Sequence, residues 1–370
     1  MLKTGFVWNE RYMWHDTGNA AGIIPASFDV QPLQHVENAE TKRRFKNLVD
    51  ASGLIKKLES IDDRPISDQE ILTVHTPEYL AKLIKLNTTG GDAGTFSPMG
   101  AGSLDIARLA AGGVIELTDA VVNRKVKNGY ALVRPPGHHA LPDTAMGFCL
   151  LSNAAISAKY ALEKLGLKKV AMVDWDVHHG NGAENIFYQD PSVLTISIHQ
   201  ENCFPPNSGA REDIGSDEGL GYNFNIPLPP GTGVEAYIKS FERLVIPALE
   251  KFKPDLIIVP SGFDAGAYDP LGRQMMTSQG YRTLTQMLIN ASENLCHGRL
   301  VMCHEGGYNP STVPYHGLAV MEALSGESSG IEDPFLEIHS GMGGQTLNDH
   351  QEAYINAAEL TLKTLTSYWK

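Results

Sequence analysis

The stretch Lys168–Gly180, KKVAMVDWDVHHG, opens as an apolar run and closes on Asp174, Asp176, His178 and His179 before a glycine. Its first part has the composition of a buried strand. Strand alternation sends Asp174, Asp176 and His178 to one face at i, i+2 and i+4, and Ala171, Val173, Trp175 and Val177 to the other. Two carboxylates and an imidazole at the end of a buried strand are costly unless a cation or hydrogen bonds compensate them. A divalent metal is the economical reading; a hydrogen-bonded structural cluster is the alternative.

Working outward, four more segments read as buried strands bounded by Gly or Pro: GYALVRP from Gly129, VLTISIH from Val193, DLIIVPSG from Asp255 and RLVMCHE from Arg299. Between them, residues 101–124, 154–166, 234–252 and 278–296 carry apolar side chains at three-and-four spacing and read as helices. Strands alternating with helices of this length predict an α/β fold, a mostly parallel central sheet flanked by helices on both faces. No repeat, low-complexity tract or Gly/Ser linker interrupts the pattern, so residues 1–370 read as a single domain. The Pro/Gly-rich pieces at 135–148, 203–221 and 227–233 read as long loops after strands.

Composition narrows the function. Lys+Arg of 30 against Asp+Glu of 43 gives a net charge of -13, which argues against nucleic acid or an anionic membrane as partner. The first residues lack a basic stretch followed by an apolar one, and no uncharged apolar run reaches the roughly 20 residues of a membrane helix, so the expected location is cytoplasmic. Self-association is left open. The cysteines Cys149, Cys203, Cys296 and Cys303 form no CxxC pair, so any metal is expected on oxygen and nitrogen ligands.

The strand at Lys169 is not alone in ending on polar groups. Asp264 lies just past the strand from Asp255, His138 and His139 past the one from Gly129, and Glu305 and Tyr308 past the one from Arg299. The carboxyl ends of parallel strands share one edge, where ligands bind.

Together PPGHHA (135–140), GFC (147–149), DWDVHHGNG (174–182), SGFDAG (261–266) and EGGY (305–308) resemble the motifs of the histone deacetylase family, in its order and spacing. The similarity runs from VHTPEYL at Val74 to GGYNPS at Gly306. Asn181, where one branch has Asp, together with EGGY and the chain length, points to the class II-like bacterial histone deacetylase-like amidohydrolases. The resemblance implies an arginase/deacetylase-like fold and one Zn²⁺ per chain on Asp176, His178 and Asp264, with positions left for a water and the substrate carbonyl. It implies His138 and His139 as the acid/base pair and Tyr308 as hydrogen-bond donor to the oxyanion. By the same resemblance Asp174 pairs with His138 and Asn181 with His139. A carboxylate partner favours imidazolium more than an amide does, which makes His139 the expected general base.

The family pattern further implies that the Gly147 carbonyl accepts a hydrogen bond from the substrate, and that Phe148 and Phe204 flank an acyl-lysine tunnel. Asp92, in the Gly-rich GGDAG, corresponds to a rim aspartate that holds the substrate backbone, an ordinary turn Asp being the alternative. One monovalent cation site, for K⁺, matches Asp174 and Ser197 with carbonyls around Asp176, His178 and Ile198; a second involves Phe187, Asp190, Val193 and Tyr222. His179 is read as supporting the metal ligands, and His199 and His304 as hydrogen-bonded strand-end residues. His15, His35, His75, His297, His316, His339 and His350 lack a partner motif and read as structural.

Four other functions are weighed. A binuclear ureohydrolase of arginase type needs carboxylates where this chain has Gly180 and Gly266, and is rejected. A catalytically dead acyl-lysine binding module would lack a ligand, a catalytic His or the Tyr, and none is missing. An acetylpolyamine amidohydrolase would use the same zinc chemistry on a small acetylated amine. Polyamine specialists can carry an acidic gatekeeper where DPLG places Leu271, which weakens that reading. Esterase activity on activated acyl esters is compatible with the site. The expected substrate is therefore an acylated lysine in a peptide or protein, with a small acetylated amine as the alternative.

Overall fold

In the computed structural model, which describes residues 2–369, the five expected strands join three others in one eight-stranded sheet. In chain order they are β1 (Gly5–Val7), β2 (Glu59–Ser60), β3 (Gly129–Ala131), β4 (Val170–Asp174), β5 (Val193–Gln200), β6 (Asn223–Leu228), β7 (Leu256–Ser261) and β8 (Leu300–His304). Their spatial order is β6-β5-β4-β7-β8-β3-β1-β2, and every neighbouring pair is parallel. The sheet is thus wholly parallel where a mostly parallel one was expected; antiparallel pairing occurs outside it, in two- and three-stranded pieces of the N-terminal loops and in isolated bridges.

The alternation read from the central stretch sorts the core into two layers. Ala171, Val173, Trp175 and Val177 pack on one face with Ile196, Ile198, Ile257 and Val259. That face is covered by α1 (Glu40–Ala51), a helical stretch α5 over residues 234–252, α6 (Ser278–Cys296), α7 (Val313–Ser325) and α8 (Asp349–Thr366). Val170 and Met172 pack on the other face beneath α2 (Ser103–Val122), α3 (Asn153–Glu163) and α4 (Asn181–Phe187). Alanines line the inner side of α3 (Ala154, Ala155, Ala158, Ala161), which lets it sit close on the sheet. Buried on both faces, the strands have the continuous apolar composition of a parallel sheet. Within α5, residues 241–245 form a π-turn immediately before Pro247. A proline lacks the N–H and crowds the preceding turn, and a widened turn accommodates it without ending the helix.

The order also fixes where the site lies. From adjacent β4 and β7 the chain leaves in opposite directions, β4 to β5 and β7 to β8, so a crevice opens beyond their carboxyl ends. Such a switch point is where open parallel sheets bind ligands.

Candidate active site

Asp176 and His178 follow β4, and Asp264 follows β7, so two neighbouring strands deliver three donor groups to one point. One ligand-type atom from each lies within 4.8 Å of the others, and all three residues are buried. His178 Nδ1 is 3.0 Å from Asp176 Oδ1 and 3.2 Å from Asp264 Oδ2. The outer oxygens are tied to the backbone: Gly306 N–H donates to Asp176 Oδ2 at 2.9 Å, and Val177 N–H to Asp264 Oδ1 at 2.9 Å. Asp264 Oδ2 is buried, and apart from the His178 ring nitrogen 3.2 Å away it has no hydrogen-bond partner among the described residues. A Cβ on Gly262 or Gly306 would run into these carboxylates, so bare backbone closes around them. Two carboxylates and an imidazole, oriented by backbone amides and presenting one inner atom each, fit a zinc ion with open coordination positions.

Burial by itself would lower His178, but hydrogen bonding to Asp176 and the contact with Asp264 hold it well above an ordinary imidazole. At the arginase-type position the His316 ring packs where a side chain on Gly266 would have to go.

The loop after β3 brings in two histidines whose rings lie 3.9 Å apart, centre to centre. Glu305, just past β8, accepts hydrogen bonds from the Gly137 and His138 amides at 2.6 and 3.0 Å and so pins that loop. Burial raises Glu305 to about 7, against the opposing charge of His138. His138 Nδ1 is 2.9 Å from Asp174 Oδ2, and His139 Nδ1 is 2.6 Å from Asn181 Oδ1. The two environments separate the rings electrically. Burial disfavours charge on His138, but Asp176 and Asp174 outweigh it and push the ring up to about 10. Burial, then the positive charges of His138 and His178, hold His139 well below its ordinary value.

Above these rings opens a cavity of about 170 Å³. Gly147, Phe148, Phe204, Leu271 and Tyr308 line it together with His139 and His178. Tyr308 presents its ring edge-on to Phe148 at 5.7 Å, and burial, reinforced by Asp264 and Asp176, keeps its hydroxyl protonated. Three further lining residues, Ile23, Phe96 and Cys203, carry no motif in the sequence. Asp92 is exposed, accepts a hydrogen bond from the Gly94 amide at 3.1 Å in a local turn, and does not line the cavity. Its loop nevertheless shapes the wall: Thr95 and Phe96 carbonyls accept from the Gly147 and Phe148 amides at 2.9 and 3.0 Å.

Asp269 is a supporting residue within a motif used only for its Leu271. Buried, it accepts from the Tyr308 amide at 2.7 Å and the Leu271 amide at 2.9 Å, so one carboxylate sets both cavity walls. A second support has no sequence signal at all. Lys42, from the basic run KRR, is fully buried and bonds Glu37 at 2.8 Å, and Glu37 also takes Arg134.

At the expected cation sites, Ser197 Oγ accepts from Gly180 N–H at 3.2 Å and lies 2.9 Å from His199 Nδ1, and Asp174 Oδ1 accepts from the Asp176 amide at 3.0 Å. Ile198 follows Ser197 on β5. The carbonyls of Phe187, Asp190 and Tyr222 accept backbone hydrogen bonds, while Val193 starts β5. His179 bonds Ser208 and lies 3.2 Å from Glu184, and His304 Nδ1 is 3.0 Å from the Tyr130 hydroxyl.

Comparison with known proteins bears on the family and the fold. A family model described as "Histone deacetylase domain" matches residues 35–324. The chain is 47% identical over 343 residues to a histone deacetylase-like amidohydrolase of Pseudomonas aeruginosa, covering 91% of this chain and 90% of the relative. It is 38% identical over 328 residues to histone deacetylase 8 of Arabidopsis thaliana, covering 86% of each. Among solved structures, the HDA15 HD domain superposes with a TM-score of 0.85 at 34% identity, over 99% of this chain and 98% of that one.

Proposed function

This chain belongs to the histone deacetylase family, and from that premise we propose that it is a zinc-dependent amidohydrolase acting on the acylated ε-amine of lysine. The observation that carries the reading is the convergence of Asp176, His178 and Asp264 beneath an apolar cavity, beside two histidines in opposite electrostatic environments.

Held by those three residues, zinc supplies Lewis acidity toward a water and the substrate carbonyl. His139, kept neutral, takes the proton of the attacking water and later returns it to the departing amine. His138, charged and paired with Asp174, holds a fixed positive charge beside the reacting atoms. The Tyr308 hydroxyl donates to the oxygen of the tetrahedral intermediate. The Gly147 carbonyl accepts from the scissile amide N–H, and Phe148 and Phe204 flank the acyl-lysine stem. Water cleaves the C–N bond, and acetate and a free amine leave.

K⁺ is proposed at Asp174, Asp176, His178, Ser197 and Ile198, and at Phe187, Asp190, Val193 and Tyr222, as a structural ion. Asp92 belongs to this reading as a contact for the substrate backbone outside the cavity. The lining residues include no carboxylate, which favours a neutral acyl-lysine stem over an acetylated polyamine with its second ammonium. No helix among the described residues is long and apolar enough to cross a membrane.

The test is one metal-quantified preparation assayed on acetyl-lysine peptides, longer acyl-lysines and acetylated polyamines. One zinc per chain is expected, with activity lost on chelation, restored by Zn²⁺ or Co²⁺, and absent in Asp264→Ala. Two metal equivalents, or full activity in Asp264→Ala, would remove the basis of the mechanism.

A further inference from the structure

Behind Tyr308 lies a buried ionic cluster that the chemistry above does not use. Lys42, on α1, is wholly buried, and its Nζ sits 5.5 Å from the centre of the Tyr308 ring. Its one hydrogen bond runs to Glu37 Oε1 at 2.8 Å. Glu37 is engaged by the Arg134 guanidinium as well, with Nε and Nη2 donating at 2.9 and 2.8 Å. Two cations therefore share one carboxylate, and the cluster carries one positive charge in excess. An ammonium has three donors and Glu37 takes one, so the face of Tyr308 is part of what solvates the remainder.

Tyr308 is held on three sides. Asp269 fixes its backbone amide, Phe148 meets its ring edge-on, and Lys42 lies over its face. The first two contacts place the ring without acting on its electrons. The third is different: a cation over an aromatic face draws on the ring's π density, which makes the phenol O–H a better donor as negative charge builds on the substrate oxygen.

We propose that Lys42 is a positioning residue for the deacetylation step, acting through the Tyr308 hydroxyl as a buried cation over its ring. This rests on the assignment of Tyr308 as oxyanion donor, and the experiment separates the two. Lys42→Met keeps the length of the apolar stem and leaves Glu37 its Arg134 partner, so no buried carboxylate is orphaned. The loss of charge is expected to lower kcat on an acetyl-lysine peptide about fivefold to tenfold with KM nearly unchanged. Lys42→Arg, which keeps the charge, is expected to stay within about threefold of wild type. In a Tyr308→Phe background the Lys42→Met loss is expected to vanish, because no hydroxyl remains to be polarised.

An equal kcat loss from Lys42→Met in both backgrounds would mean a merely structural role and overturns the proposal, as would wild-type kcat in Lys42→Met. Wild-type activity in Tyr308→Phe itself would instead sink the Tyr308 assignment. Metal content and thermal melting of each variant establish folding. Should Lys42→Met fail to fold, Lys42→Arg carries the test: a tenfold kcat loss with the charge retained overturns the proposal.

Discussion

Gly147→Ala tests how tightly the proposed acyl tunnel is built against His139, the proposed general base. Gly147 has φ of 52°, in the left-handed region where a Cβ costs roughly 1–2 kcal/mol. The added carbon would also lie 2.9 Å from Phe204 Cε1 and closer still to His139 Cδ2. Carbon atoms rest at about 3.5–4.0 Å, so one of the two rings must retreat by about 1 Å. His139 cannot slide freely, because its Nδ1 is held 2.6 Å from Asn181 and its ring packs edge-on against Phe204 at 4.9 Å. A displacement of that size at a proton-transferring group costs on the order of 100-fold in rate. The expected result is a fall in kcat of about 10- to 100-fold on an acetyl-lysine peptide, with zinc content retained. A loss confined to KM would show that Phe204 yields into the tunnel while His139 stays. Steady-state constants within twofold of wild type would refute the reasoning altogether.

Further predictions concern the mouth and the metal. Leu271→Glu places a carboxylate on an otherwise apolar cavity wall, and is expected to raise kcat/KM on N8-acetylspermidine relative to an acetyl-lysine peptide by about tenfold, or 1.4 kcal/mol; if wild type already prefers the polyamine, Leu271 is not the discriminator. In the metal-free chain His178 is held protonated by Asp176 and Asp264 well above its ordinary range, and a metal ligand must be the neutral ring. Zinc uptake near pH 7 is therefore expected to release about one proton, and affinity to fall as pH is lowered. Calorimetric titrations in two buffers of different ionisation enthalpy read this directly, and identical heats in both would contradict it.

The stretch at Lys168 announced its strand because strand geometry is local, alternation separating Ala171 and Val173 from Val170 and Met172; the strand ends at Asp174, so the meeting of Asp176 and His178 with Asp264 belongs to the bend that follows it. The helices at 103–122 and 278–296 were legible for the same reason, since their three-and-four periodicity needs no partner to be seen. The strand Asn223–Leu228 was not. Its asparagines break the apolar run and Pro227 and Leu228 read as the start of a loop; only the fold supplies Glu184, whose Oε2 accepts from both Asn223 and Asn225 and makes their burial tolerable. Lys42 reads as one residue of an exposed basic run until Glu37 and Arg134 are folded around it. Ile23 and Phe96 reach the cavity from loops whose conformation no periodicity encodes. The metal-type motif residues were conspicuous because polar groups follow closely on apolar strands, while His138, His139, Gly147 and Phe148 lie in the loop after β3, where no period fixes a direction and only the motif marks them. The supporting carboxylate Asp269, the buried cation behind Tyr308 and the tunnel wall belong to contacts between segments far apart in the chain, and those exist only once the sheet order has brought the segments together.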